Sequence, residues 1–127
     1  MMNRILIVDD DDLVRLTLEH VLGAAGYLIA SATNGKQGIA VFKTFGPHLI
    51  ITDMMMPLMT GVEMIIAIKK REPRLKIIAM SGGATSGRDD LLQKAQEQGA
   101  DFIIWKPFEI EEVLSLVRRC LSTPGAG

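Results

Sequence analysis

The sequence predicts an α/β domain on a doubly wound parallel sheet. Three observations carry that prediction. Short apolar runs recur without strict alternation, at Ile5-Leu6-Ile7-Val8, His48-Leu49-Ile50-Ile51-Thr52, Lys76-Ile77-Ile78-Ala79-Met80 and Phe102-Ile103-Ile104-Trp105, as in strands covered on both faces. Stretches of helical period lie between them. Each run also ends in polar residues able to do chemistry: Asp9-Asp10, Asp53, Ser81 and Lys106. In open parallel sheets the ligand crevice lies outside the carboxyl ends of the strands, which is where these residues fall.

Taken in order, the first run leads into a helix whose apolar stripe is Val14, Leu18, Val21, Leu22 and Ala25, with Gly26 as its stop. Tyr27 to Ser31 forms the second strand. Asn34-Gly35 opens a helix that runs through Ile39 and Phe42 to Thr44, and Gly46-Pro47 closes it. Gly38 inside that helix costs about 1 kcal/mol relative to Ala. After Asp53, positions 57 to 60 are a loop and Gly61 to Lys70 a helix. Its apolar residues Val62, Met64, Ile65, Ile66, Ala67 and Ile68 exceed one packed face, so a broadly buried helix is expected ahead of a partner-binding patch. Gly82 to Gly87 reads as a mobile Gly-rich loop, since it lacks the Gly-Lys-Ser/Thr ending of a nucleotide site. A helix over 88–98 turns Leu91, Leu92 and Ala95 inward. The last helix, 109–121, turns Ile110, Val113, Val117 and Leu121 inward, with acids at its start and Arg118-Arg119 at its end.

The acids carry the chemistry. Asp11 and Asp12 suit a helix N-terminus, whereas Asp9 and Asp10 come too early for it. They would face Asp53 if the first and third strands were neighbours. Two unit charges about 4 Å apart repel by roughly 4 kcal/mol at an effective dielectric of about 20, so such a cluster calls for a cation. Hard oxygen ligands suit Mg²⁺.

Composition narrows the class. The chain has 127 residues, is 48% hydrophobic and carries a formal charge of −1, enough apolar material for one buried core. With its Lys and Arg scattered along the chain, it gives no electrostatic case for nucleic-acid or membrane binding. The single cysteine, Cys120, excludes an internal disulfide framework and fits a reducing compartment. The few apolar residues before the acids are too short for a signal peptide or a membrane span, so a cytoplasmic protein is expected. His20 and His48 stand apart from any acid or Cys at metal-ligand spacing, and neither suits a phosphohistidine; His20 is expected on the solvent side of its helix.

In order along the chain, Ile-Leu-Ile-Val-Asp9-Asp10, Asp53-Met-Met-Met56-Pro57-Leu-Met-Thr-Gly61, Met80-Ser81-Gly82, Gly99-Ala100-Asp101 and Lys106-Pro107-Phe108 resemble the receiver domain of two-component response regulators. The resemblance covers residues 3–121, with 122–127 as a short C-terminal tail. It implies a flavodoxin-like sheet of five strands in the order 2-1-3-4-5 with five helices. It also implies a phosphoacceptor switch in a phosphorelay. Asp53 would take a phosphoryl group from the phosphohistidine of a sensor histidine kinase or phosphotransfer protein. Mg²⁺ would be held by Asp10, Asp53, the backbone carbonyl of Met55 and, through water, Asp9. Lys106, aimed inward by a cis bond to Pro107, and the Ser81 hydroxyl would meet the phosphoryl oxygens. Such a domain catalyses its own aspartyl phosphorylation and dephosphorylation and is not a conventional turnover enzyme. Its output is a change in binding to a downstream protein.

Two other readings are weighed against this one. A phosphorylation-independent pseudo-receiver would keep the fold as an interaction module, but Asp9, Asp10, Asp53, Ser81 and Lys106 are all present. A metal-dependent phosphatase of related fold would place a second Asp two residues beyond the nucleophile, where this chain has Met55. Many receivers carry Tyr or Phe three residues before the lysine as a rotamer switch; here the position is Ile103. A β-branched aliphatic chain has few χ1 options. Signalling is therefore expected to run through the 82–87 loop and the next helix against Ile103 and Trp105, which share one side of their strand.

Overall fold

A computed structural model describes residues 3–54, 61–81, 93, 96, 97 and 99–121. Five strands, β1 (Arg4–Val8), β2 (Leu28–Ala32), β3 (Leu49–Asp53), β4 (Lys76–Ser81) and β5 (Phe102–Trp105), form one parallel sheet in the order β2-β1-β3-β4-β5. Four helices accompany them among the described residues: α1 (Asp12–Ala24), α2 (Gly35–Phe45), α3 (Gly61–Arg71) and α4 (Ile110–Leu121). The helix expected over 88–98 falls largely outside the described residues, with its inward Leu91, Leu92 and Ala95; Gln93, Gln96 and Glu97 are helical. The 82–87 loop lies outside them too.

Side-chain alternation splits the core into two layers. Leu6, Val8, Ile50, Ile77 and Ala79 face Phe42 of α2 and Met64, Ile65 and Ile68 of α3. Ile5, Ile7, Leu49, Ile51, Ile78, Met80 and Ile104 face Leu18 and Leu22 of α1 and Val113, Val117 and Cys120 of α4. Both faces of the central strands are covered, which is why their sequences are apolar runs. Ile103 and Trp105 pack on the α2–α3 layer while Phe102 and Ile104 join the other, as alternation predicts. In α3, Met64, Ile65 and Ile68 are buried and Val62, Ile66 and Ala67 half-buried, so its broad apolar face is largely spent on packing.

Helix ends follow local chemistry. The Asp11 side chain caps α1 by accepting from the amides of Leu13 at 2.9 Å and Val14 at 3.3 Å. Asn34 caps α2 by accepting from Gln37 N at 2.8 Å. Gly38 has a packing reason that helical period does not reveal. A Cβ there would lie 2.8 Å from Met64 Sδ and 3.1 Å from Val8 Cγ2, so its absence lets α2 close on both β1 and α3.

Two inward assignments need correction. Ala25 follows the last residue of α1 and is exposed, because the chain is already leaving the helix there. Ile110 is 42% exposed at the first residue of α4. The stripe of α4 runs instead through Val113, Val117 and Cys120, which keeps the helical period and brings the cysteine inside.

Candidate functional site

Parallel register builds the site. Val8 pairs with Thr52, so the next residues, Asp9 on one strand and Asp53 on the other, emerge side by side. Asp53 in turn pairs with Met80, and Ser81 with Trp105, so Ser81 and Lys106 follow at the same edge. The Lys106 amide donates to the Ser81 carbonyl at 2.8 Å, continuing the ladder one step past β5. Asp9, Asp53 and Ser81 are buried, whereas Asp10 is exposed at the mouth.

Asp9, Asp10 and Asp53 each offer a carboxylate oxygen within 4.8 Å of the others. The Lys106 ammonium reaches into this group, 2.8 Å from Asp9 Oδ2 and 3.6 Å from Asp53 Oδ2. Burial alone would lower the lysine's pKa, but the hydrogen bond to Asp9 and the charges of Asp53, Asp9 and Asp11 outweigh it and hold the ammonium above the usual lysine value. The Lys106-Pro107 peptide bond is cis, as the resemblance implies. Asp53 Oδ1 accepts from the Met54 amide at 2.9 Å, which leaves Oδ2 on the side of the lysine. Ile103 lies on β5, three residues before Lys106 and beside Trp105 on the α2–α3 layer. Met55, expected to give a backbone carbonyl, lies outside the described residues.

The run of four acids divides its labour. Asp11 caps the helix, and its amide donates to Asp9 Oδ1 at 2.9 Å. Asp12 pairs with Arg15 at 2.6 Å, and the same guanidinium donates to the Asp9 carbonyl at 3.0 Å. Arg15 is a residue that sequence reasoning passed over: it ties the first turn of α1 to the strand end that carries the site. Its spacing of three from Asp12 was the available signal.

Three further residues shape the site without entering it. Thr52 Oγ1 donates to the Asp53 carbonyl at 3.0 Å. Gly61 opens α3 directly against that same carbonyl. A Cβ at position 61 would overlap Asp53 O and come within 2.9 Å of Met54 Cα, so only glycine lets the helix start this close. Asp101 donates its amide to Ile77 O at 2.8 Å and accepts the Ile77 amide on Oδ2 at 2.9 Å. That clasp fixes where β5 begins beside β4, and hence where Lys106 ends up.

Both histidines lie away from the site. His20 is exposed on α1, and His48 accepts the Arg4 amide on Nδ1 at 2.9 Å at the opposite end of the sheet. Among the described residues no helix is long and apolar enough to cross a membrane.

The chain is similar to known proteins. Residues 5–118 match the response regulator receiver domain. The chemotaxis protein CheY of Thermotoga maritima is 34% identical over 120 residues, which span 94% of this chain and 98% of that protein. The DNA-binding transcriptional regulator NtrC of Salmonella typhimurium is also 34% identical, over 91% of this chain, but the match spans only 24% of that longer protein. A CheY-like receiver domain from Methanospirillum hungatei superposes with a TM-score of 0.89 at 28% identity, over 96% of this chain and 95% of that one. The chain therefore belongs to the response regulator receiver domain family, and with it to the phosphoacceptor switches of two-component signalling.

Proposed function

We propose that Asp53 is the phosphoacceptor, that Lys106 and Ser81 assist the transfer, and that Asp9, Asp10 and Asp53 hold Mg²⁺. One observation supports the reading above all others: a buried carboxylate at a strand end has two further carboxylates and an ammonium gathered around it. Three carboxylates against the one lysine suit a divalent cation, and carboxylate oxygens suit magnesium. Bound there, Mg²⁺ would supply positive charge to the phosphoryl oxygens. The Met55 carbonyl completes the proposed ligand set, with Asp9 acting through water.

The rest of the chemistry belongs to the chain. A carboxylate oxygen of Asp53 attacks phosphorus, the P–N bond to the donor imidazole breaks, and the departing ring keeps the electron pair and takes a proton. The transferred group spreads charge over its oxygens, so positioning and positive charge do most of the catalysis. The Lys106 ammonium stands 3.6 Å from Asp53 Oδ2, placed to follow the incoming charge. Ser81 sits at the same edge, and its hydroxyl can donate to a phosphoryl oxygen. Water later cleaves the acyl phosphate, so the domain catalyses both halves of its own cycle.

The donor is a sensor histidine kinase or a phosphotransfer protein, and the product is a changed affinity for a downstream protein. Leu13 and Leu16, 76% and 58% exposed, share a face of α1 just past the acids and give a partner's helix something apolar to cover. We place the protein in the cytoplasm, where such donors and Mg²⁺ are at hand, with residues 3–121 as the working unit. Ile103 lacks an aromatic ring and a polar tip, so the phosphorylated state is read by the surroundings of Trp105.

Incubation with a small acyl-phosphate donor and Mg²⁺ should add one phosphoryl mass to the wild type and none to Asp53→Asn. The fluorescence of Trp105 should change in the same sample. A label that survives in Asp53→Asn would overturn the assignment.

A further inference from the structure

The end of the sheet opposite Asp53 holds a second concavity, and its chemistry is the reverse. A cavity of about 610 Å³ opens at the amino ends of β1 and β4, between the C-terminal ends of α2, α3 and α4. That volume is within the range of about 300–1,000 Å³ typical of small-molecule sites. Among the described residues its walls carry Arg4, Lys43, Arg71, Arg74 and Lys76, against a single carboxylate, Glu72. The chain has 14 Lys and Arg in all and a formal charge of −1, so residues scattered along the sequence are gathered by the fold into one place.

Two ordinary explanations are insufficient. Basic residues in a helix's last turn offset its dipole, and Lys43 and Arg71 occupy such positions. Three helix ends contribute only about half a negative charge each, so even with Glu72 added the walls keep an excess of roughly two and a half positive charges. Nor are these cations spent on ion pairs. Among the described residues no carboxylate pairs with Lys43, Arg71 or Arg74, and Lys76 reaches Asp101 only at 3.9 Å. The cavity is also not purely polar: Phe42, Pro47, Leu75 and Leu121 line it as well. His48 on its wall accepts the Arg4 amide and adds no charge there while it does so.

We infer that this cavity binds a small phosphorylated molecule with an apolar or planar body, its phosphates on Arg71, Arg74 and Lys43 and its body on the half-buried Leu75 and Leu121. Guanidinium pairs suit phosphate because they offer forked donors. This inference is independent of the phosphoacceptor reading, since the two sites stand at opposite ends of strands whose length is roughly 17 Å.

The test uses calorimetric titration of the whole chain with ATP, adenosine and inorganic triphosphate as probes. EDTA is present so that the acidic pocket has no metal to offer the phosphates. ATP should bind, with adenosine and triphosphate each weaker by about tenfold or more. The exposed pair Arg71→Ala with Arg74→Ala should lose at least that factor for ATP while keeping its melting temperature and its acyl-phosphate labelling of Asp53. ATP binding that is absent in the wild type, or unchanged in the double variant, overturns the site. Triphosphate binding as tightly as ATP overturns the proposed ligand class.

Discussion

The two ends of this sheet are charged in opposite senses and are assembled by different means. At the carboxyl end, Asp9, Asp53, Ser81 and Lys106 are strand-terminal or immediately past a strand, so backbone register alone brings them together. At the amino end, the cations come from two strand starts, two helix ends and a turn, and meet through the reach of long side chains. A site made by register has few degrees of freedom and should fail on single substitutions. A site made by reach should lose function in increments.

The largest effect is expected from metal at the acidic end. At 100 times its dissociation constant, Mg²⁺ should stabilise the fold by roughly 2.7 kcal/mol, seen as a rise in melting temperature over the chelated protein. Asp10→Asn, exposed and unneeded for the core, should remove most of that rise. Identical melting curves with Mg²⁺ and with chelator would mean that the three carboxylates are not a cation site.

Next comes Gly61→Ala. The added methyl would overlap the Asp53 carbonyl, so α3 or the strand end must shift, at a cost of about 1–3 kcal/mol by analogy with overpacked cores. Urea denaturation measures the loss, and acyl-phosphate labelling of Asp53 should slow in the folded variant. Wild-type stability in Gly61→Ala would show that the helix approaches less closely than described.

The smallest effect belongs to the basic end. Burial, and then the charge of Arg4, hold the His48 pKa below its ordinary value, which favours the neutral ring that accepts the Arg4 amide. The unfolded chain therefore binds this proton more readily than the fold does. The contribution is fully present above about pH 6.5, the usual histidine value, and is lost as pH falls through the folded value. His48→Gln keeps an acceptor without titrating, so its stability relative to wild type should change only on the acid side of that value. A difference independent of pH would sink the idea.

How much of this was legible in the residues depends on the kind of contact. The five strands, their order and the strand-end constellation were legible, because apolar runs covered on both faces leave a plain pattern and a polar residue after each run marks the crevice. The order itself came from the receiver resemblance, since periodicity alone does not choose among parallel orders. Helix phase was legible in mid-helix and failed at the ends: Ala25 and Ile110 keep the period but lie where the chain has left, or only just entered, the helix. Gly38 read as a cost because its benefit is a contact with Met64 and Val8, far away in sequence. The cationic cavity was illegible for the same reason. Arg4, Lys43 and Arg74 share no local pattern, and only the folded chain shows that they are neighbours.

The Val8–Thr52 pairing has a consequence for how errors are handled. A slip of one residue between β1 and β3 would turn Leu49 and Ile51 to the wrong layer and Ile50 with them. The same slip would carry Asp53 out of line with Asp9. No version of this sheet slipped by one residue between these strands can be comfortable yet chemically inert, or reactive yet poorly packed. Selection for a stable interior thus also proofreads the alignment of the reactive carboxylates.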